Sequence, residues 1–226
     1  RDSSTSRGLG DVYKRQNINN LDSGFIRIGT VQSIAYNWLP GVLKNFSAEY
    51  PNITFRLYVD GFQNLTEKLH KKELDCIFVS QYVAKDFPNL PVGTDELVLV
   101  TSLDHPLADQ LTVSFADIDG QDFVLSADDF DYETGKLFRL NHITPNVRFR
   151  INEDYTAIKM VEQGFGITVL PKLLLHNIPF NVCVRSFTEH FRRNLSVAYL
   201  DTPELSPALD KFLTFVTKWA KECKLI

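Results

Sequence analysis

The side chains able to make or break bonds are scattered in this sequence. The five histidines, His70, His105, His142, His176 and His190, have no second ligand or base at a useful spacing. No G-x-S-x-G, H-E-x-x-H, Walker A or G-x-G-x-x-G string occurs, so no nucleophile elbow, zinc helix or phosphate cradle is encoded. The three cysteines, Cys76, Cys183 and Cys223, are odd in number and share no metal spacing, which reads as reduced, mostly buried thiols of a cytoplasmic protein. His105-Pro106 lies in a polar turn and reads as structural. Four Asn-x-Ser/Thr strings, at Asn45, Asn52, Asn64 and Asn194, carry no meaning without a secretory route. The expectation is therefore no catalytic residue, no metal ligand and no cofactor. The remaining chemistry is that of binding. Thr30-Val31-Gln32-Ser33, Asp60-Gly61-Phe62, Ser80, the run Ser126-Ala-Asp-Asp-Phe-Asp-Tyr-Glu and Glu153 all stand where a strand ends or a helix begins. Ligands in open α/β sheets sit beyond the carboxyl ends of strands, where helix N-termini offer free N–H groups. The same residues also serve a plainer role. Ser33 and the acidic side chains suit helix starts, and Phe62 suits a core.

The elements that would hold these residues follow from hydrophobic period. Phe25–Gly29 is a short β run. Ile34, Trp38, Val42, Phe46 and Tyr50 recur every four residues, the stripe of an amphipathic helix, within which Pro40 must kink the chain or mark a first turn. Ile53, Phe55, Leu57 and Val59 alternate as a half-buried strand. A helix over 64–73 carries Leu65 and Leu69, and Ile77–Val79 is a buried strand. This β-α-β-α-β order implies a parallel sheet. Further strands are predicted at 96–101, 123–126, 147–151, 167–170, 182–187 and 195–200. Further helices are predicted near 132–141 and 153–163 and after Ser206-Pro207, the last burying Leu209, Phe212, Leu213, Val216 and Trp219. Gly164 and Gly166 are assigned to a turn.

Composition sets the outer bounds. The chain has 226 residues, 44% hydrophobic and 23% charged, ordinary for a globular protein able to bury a core without disulfides or metal. Its net charge is −4, and without the four basic and two acidic residues of the first sixteen the balance becomes −6, which argues against nucleic-acid binding by these residues themselves. No apolar run approaches the ~18 residues of a membrane span, and no signal peptide is evident. Residues 1–16, RDSSTSRGLGDVYKRQ, have almost no apolar content and read as a disordered, non-native leader.

Several segments, in order and with correct spacing, carry a resemblance. They are Ile26-Arg-Ile-Gly-Thr with Trp38-Leu-Pro and Phe46-Ser-Ala-Glu-Tyr-Pro-Asn-Ile-Thr-Phe, Glu96-Leu-Val-Leu-Val with Asp104-His-Pro-Leu-Ala and Phe115-Ala-Asp-Ile, Val161-Glu-Gln-Gly-Phe-Gly-Ile-Thr-Val-Leu-Pro, and Leu205-Ser-Pro-Ala-Leu. Together they resemble the effector-binding domain of LysR-type transcriptional regulators, from about Leu21 to Val216. The family's N-terminal winged helix-turn-helix has no counterpart among these residues. The resemblance implies an α/β fold of two Rossmann-like lobes joined by two crossing strands, like type II periplasmic binding proteins. Residues 17–22 would end a linker, 23–95 with 196–226 would form lobe I, and 96–195 lobe II.

It further implies a small-molecule effector between the lobes, contacted by Thr30, Val31, Gln32, Ser33, Phe62, Ser80, Asp129, Phe130, Asp131 and Glu153. None of these is basic and three are acidic, so a neutral, zwitterionic or cationic effector is expected unless Lys136 or Lys159 reaches inward. The implied partners are further copies in a homodimer or homotetramer, in which the helix near Ile34–Tyr50 packs on a second-lobe helix of its neighbour. DNA would be met only through the N-terminal domain, in the cytoplasm and with no membrane partner. A transporter's solute-binding protein would share the fold, and an enzyme on this scaffold is a third reading.

Overall fold

The computed structural model describes residues 23–126 and 132–223. The leader, the linker end at 17–22 and the candidates Asp129, Phe130 and Asp131 lie outside the described residues. Strand β1 (Ser23–Thr30) pairs in parallel with β2 (Asn52–Val59) along its full length, and with β3 (Cys76–Ser80) on its other side. These strands and the helices between them form the predicted β-α-β-α-β unit. The periodic stretch after β1 divides in two, α1 (Gln32–Asn37) and α2 (Leu39–Glu49), with the break at Trp38. Pro40 decides it: without an N–H it cannot continue α1, but it fits the first turn of α2. Helix α3 (Phe62–His70) buries Leu65 and Leu69, and the four-residue α4 (Gln81–Ala84) follows β3.

Two long strands tie the molecule together. Residues 89–96 of β4 (Asn89–Ser102) pair antiparallel with β9 (Arg192–Tyr199), which itself pairs with β3. From Leu97 onward β4 changes partners, to β7 (Thr168–Pro171) and β8 (Val182–Ser186). The first half of β4 escapes sequence reading because Pro91 and Gly93 discourage a strand; a register shift between them accommodates both. The second lobe is completed by the parallel pair β5 (Asp122–Leu125) and β6 (Asn146–Arg150), α5 (Tyr132–Leu140) and α6 (Asp154–Glu162). The terminal helix α7 (Pro207–Glu222) returns to lobe I, with the Ser206 hydroxyl accepting the Leu209 N–H.

Each lobe packs apolar side chains on both faces of its sheet. In lobe I, Ile26, Ile28, Phe46, Phe78 and Phe212 fill one face, and Leu65, Leu69, Leu74, Ile77 and Val79 the other. In lobe II, Phe115, Phe123, Phe138 and Phe187 oppose a cluster of Val124, Ala157, Ile158, Val161 and Leu170. Burying a side chain of this size is worth about 1.5–3 kcal/mol. Two expectations need correction. Leu57 and Val59 are exposed, because β2 is an edge strand whose cover ends after Ile53 and Phe55. Trp219 is only half-buried, edge-on to Trp38 with ring centroids 5.1 Å apart.

Candidate functional site

The first turn after β1 faces the two crossing strands. Arg193 on β9 stands opposite Asp95 on β4, and both side chains are almost fully buried. The guanidinium donates to Asp95 Oδ2 from Nε at 3.1 Å and from Nη2 at 2.7 Å. Nη2 also donates to the Ser33 hydroxyl, 2.7 Å away, while Nη1 lies 3.9 Å from Glu133 Oε2 on α5. Asp95 Oδ1 accepts the backbone N–H groups of Glu96 and Leu173. Buried charge is tolerated only when paired in this way. One guanidinium thus joins the opening turn of lobe I, both crossing strands and the first turn of a lobe II helix.

A second seam runs beside it. Glu153 caps α6, accepting the N–H groups of Tyr155 and Thr156 and the Thr156 hydroxyl, and it also accepts Gln32 Nε2 at 3.0 Å from lobe I. Burial works to raise this carboxyl, but the hydrogen bonds from Gln32, Thr156 and Tyr155 outweigh it and hold the group below the usual carboxylate range. Tyr36 meets Tyr155 edge to face at 5.2 Å, and Asn37 Nδ2 donates to the Leu173 carbonyl. Ser126 donates to Asp154 within lobe II.

Between α4, α5 and β9 lies a cavity of about 280 Å³. Its wall includes Ser80, Tyr82, Lys85, Glu133, Lys136, Arg192 and Arg193. The Ser80 hydroxyl is buried and has no hydrogen-bond partner among the described residues. Lys85 from lobe I and Lys136 from lobe II each hold their ammonium about 5 Å from the Tyr82 ring centroid. A larger concavity of about 660 Å³, between α5 and β6, contains none of the predicted residues.

Residues 19–221 match the family model described as the LysR substrate binding domain. The chain belongs to the LysR substrate-binding domain family. Its relatives include an uncharacterized HTH-type transcriptional regulator, YybE of Bacillus subtilis, 27% identical over 86% of this chain and 68% of that protein. GltC of the same organism, a transcriptional dual regulator, is 28% identical over 92% of this chain and 72% of its own length. The C-terminal domain of a probable LysR regulator from Rhodococcus sp. RHA1 is 27% identical, with a TM-score of 0.75, covering 86% of this chain and 99% of that one. The effector-binding domain of QuiR in complex with shikimate is 24% identical with a TM-score of 0.80, covering 88% and 98%, and shares the fold. The two-lobed architecture like that of type II periplasmic binding proteins is therefore present here. The named relatives are transcriptional regulators rather than enzymes or transport proteins.

Within this LysR domain the predicted residues divide. Ser33 and Gln32 lie on the seam between lobes, Glu153 bonds Gln32 from the opposite lobe, and Ser80 lines the cavity. Thr30 is buried and its hydroxyl donates to the Val31 carbonyl, so it shapes the turn. Val31 and Phe62 are half-buried and pack on the lobe I core. Asp60, beside Phe62, accepts from the Gly61 N–H and the Asn64 amide. Lys159 turns outward to Glu162, whereas Lys136 reaches the cavity. Sequence reading missed Arg193. It precedes the Leu195–Leu200 strand as predicted, and only pairing with β4 brings it onto Asp95 and Ser33. Its one trace in the sequence is a basic residue at the approach to a crossing strand.

Proposed function

We propose that this domain senses a small-molecule effector in the seam between its lobes and passes occupancy to the DNA-binding part of a LysR-type regulator. The observation that carries this is the Ser33–Arg193–Asp95–Glu133 cluster, because it draws on both lobes and both crossing strands. A ligand touching it favours one lobe arrangement over another, and the response is limited by its difference in affinity for the two. The lobes would be 23–95 with 196–226 and 96–195, and the contacts would come from Thr30, Val31, Gln32, Ser33, Phe62, Ser80, Asp129, Phe130, Asp131 and Glu153, with Arg193 added. The expectation of a neutral, zwitterionic or cationic effector held unless Lys136 or Lys159 reached inward; Lys136 lines the cavity, which removes that premise. Solved relatives in complex with shikimate and benzoate support small organic acids as the class to test first.

The domain is read as binding without turnover and as working in the cytoplasm. It would act as a homodimer or homotetramer, with α1 and α2 packed on a second-lobe helix of the neighbouring copy and DNA contacted only by the regulator's helix-turn-helix. Among the described residues no helix is long and apolar enough to cross a membrane. The test is a thermal-shift screen of metabolites on the purified domain, where a ligand at 100 times its Kd adds ~2.7 kcal/mol of stability. A stabilising metabolite should also change promoter occupancy by the full-length regulator. One that is consumed by the domain, or that leaves promoter occupancy unchanged, would count against this function.

A further inference from the structure

We propose that the cavity between α4, α5 and β9 is a subsite for a doubly charged anion, and that the effector is a small dianion bridging Lys85 of one lobe and Lys136 of the other. This rests on the effector-sensing reading above and names the class of ligand it takes. The chain as a whole is acidic, at −4, yet among the described residues this wall gathers Lys85, Lys136, Arg192 and Arg193 against Glu133. Arg193 is committed to Asp95. The two ammonium groups and the Arg192 guanidinium have no carboxylate within ion-pair distance among the described residues, and both lysines are held only against the Tyr82 ring. The Ser80 hydroxyl adds an unpartnered donor in the same wall.

Two like charges converging on one ring from opposite lobes repel each other, and an anion between them reverses that term. A single carboxylate neutralises one ammonium and leaves the other opposed. Two negative charges match both, which couples ligand charge to the approach of the lobes. The cavity of about 280 Å³ suits a small metabolite. The shared chemistry is a compact dianion, either a dicarboxylate or a phosphate ester.

The test is an NMR and calorimetric titration of the purified domain with succinate, with glycerol phosphate and with neutral succinamide. Saturable binding of at least one dianion at millimolar concentration or tighter, and none of succinamide, is expected. The two dianions distinguish a carboxylate source from a phosphate source. Lys85→Gln with Lys136→Gln should weaken binding tenfold or more, while the paired arginine variants retain it; both lysines are exposed, so the fold should survive, as circular dichroism will show. Absence of saturable binding by either dianion, or binding unchanged in the glutamine pair, overturns the proposal. A neutral or cationic metabolite bound at the seam and lost in Ser33→Ala would also overturn it while leaving effector sensing intact. Dianion binding that is lost in the glutamine pair but never alters promoter occupancy would support the subsite and count against the sensing function.

Discussion

Arg193 ties the molecule's two halves together through Ser33, Asp95 and Glu133. Its guanidinium is 3% exposed and is the cation that holds Asp95 and faces Glu133, themselves 6% and 5% exposed. Arg193→Met should therefore cost about 3–5 kcal/mol in denaturant unfolding, since it strands buried carboxylates rather than merely deleting a contact. A loss under about 1 kcal/mol would mean that the acids find other partners or protonate without penalty. Glu153 gives a pH-dependent counterpart. Its folded pKa lies below the ordinary 4.5, so its contribution is fully present above that value and is lost as pH falls through the depressed folded value. The Tm difference between the native chain and Glu153→Gln should be largest near neutral pH and vanish in acid. A difference that grows on acidification would contradict the assigned hydrogen bonds.

Among the elements, α7 shows how a correct period can still misjudge depth. Leu209, Phe212, Leu213 and Val216 are buried as their spacing requires, but Trp219 stays half-buried at the margin of the lobe I core, edge-on to Trp38. Trp219→Ala should cost about 2 kcal/mol, below the ~3–5 of a fully buried aromatic. The turn between α6 and β7 makes the opposite point about glycine. Gly166 has φ +140°, and a Cβ there would stand 2.3 Å from the Asp122 carbonyl oxygen, so Gly166→Ala should destabilise by about 2–4 kcal/mol through strain and a backbone clash. Gly164, at φ +80° in open space, should lose only ~1 kcal/mol on the same change. Equal losses in thermal unfolding would show that the Asp122 backbone yields.

At the scale of the whole molecule, the net charge of −4 repels a phosphate backbone. The purified domain should show no submicromolar affinity for duplex DNA at physiological salt in a fluorescence-anisotropy assay. Such affinity would place a DNA surface on a domain to which this reading assigns only regulation. Outside the buried Arg193 cluster, the hydrogen bonds between the lobes among the described residues include Gln32 to Glu153 and Asn37 to Leu173, both partly exposed. That is the expected cost structure of a hinge, in which a ligand worth a few kcal/mol can outweigh the contacts it rearranges.

What the sequence determined by itself was local. Alternation and four-residue spacing located β1, β3, α3 and α7, because side-chain period reports which face of an element is buried. Proline and glycine marked the break at Trp38 and the turn before β7, because both act through the backbone of their own residue. The sequence also placed Gln32, Ser33, Ser80 and Glu153 at element ends, where polar groups are left free. It could not show that residues 89–95 continue a strand, because only pairing with β9 offsets the weakness of Pro91 and Gly93. It could not place Arg193 on Asp95 and Ser33 either, since those contacts join positions 98 and 160 residues apart. The charge of the site was decided by folding: local reading saw acids at helix starts, and the tertiary structure gathered Lys85 after α4, Lys136 on α5 and Arg192 on β9.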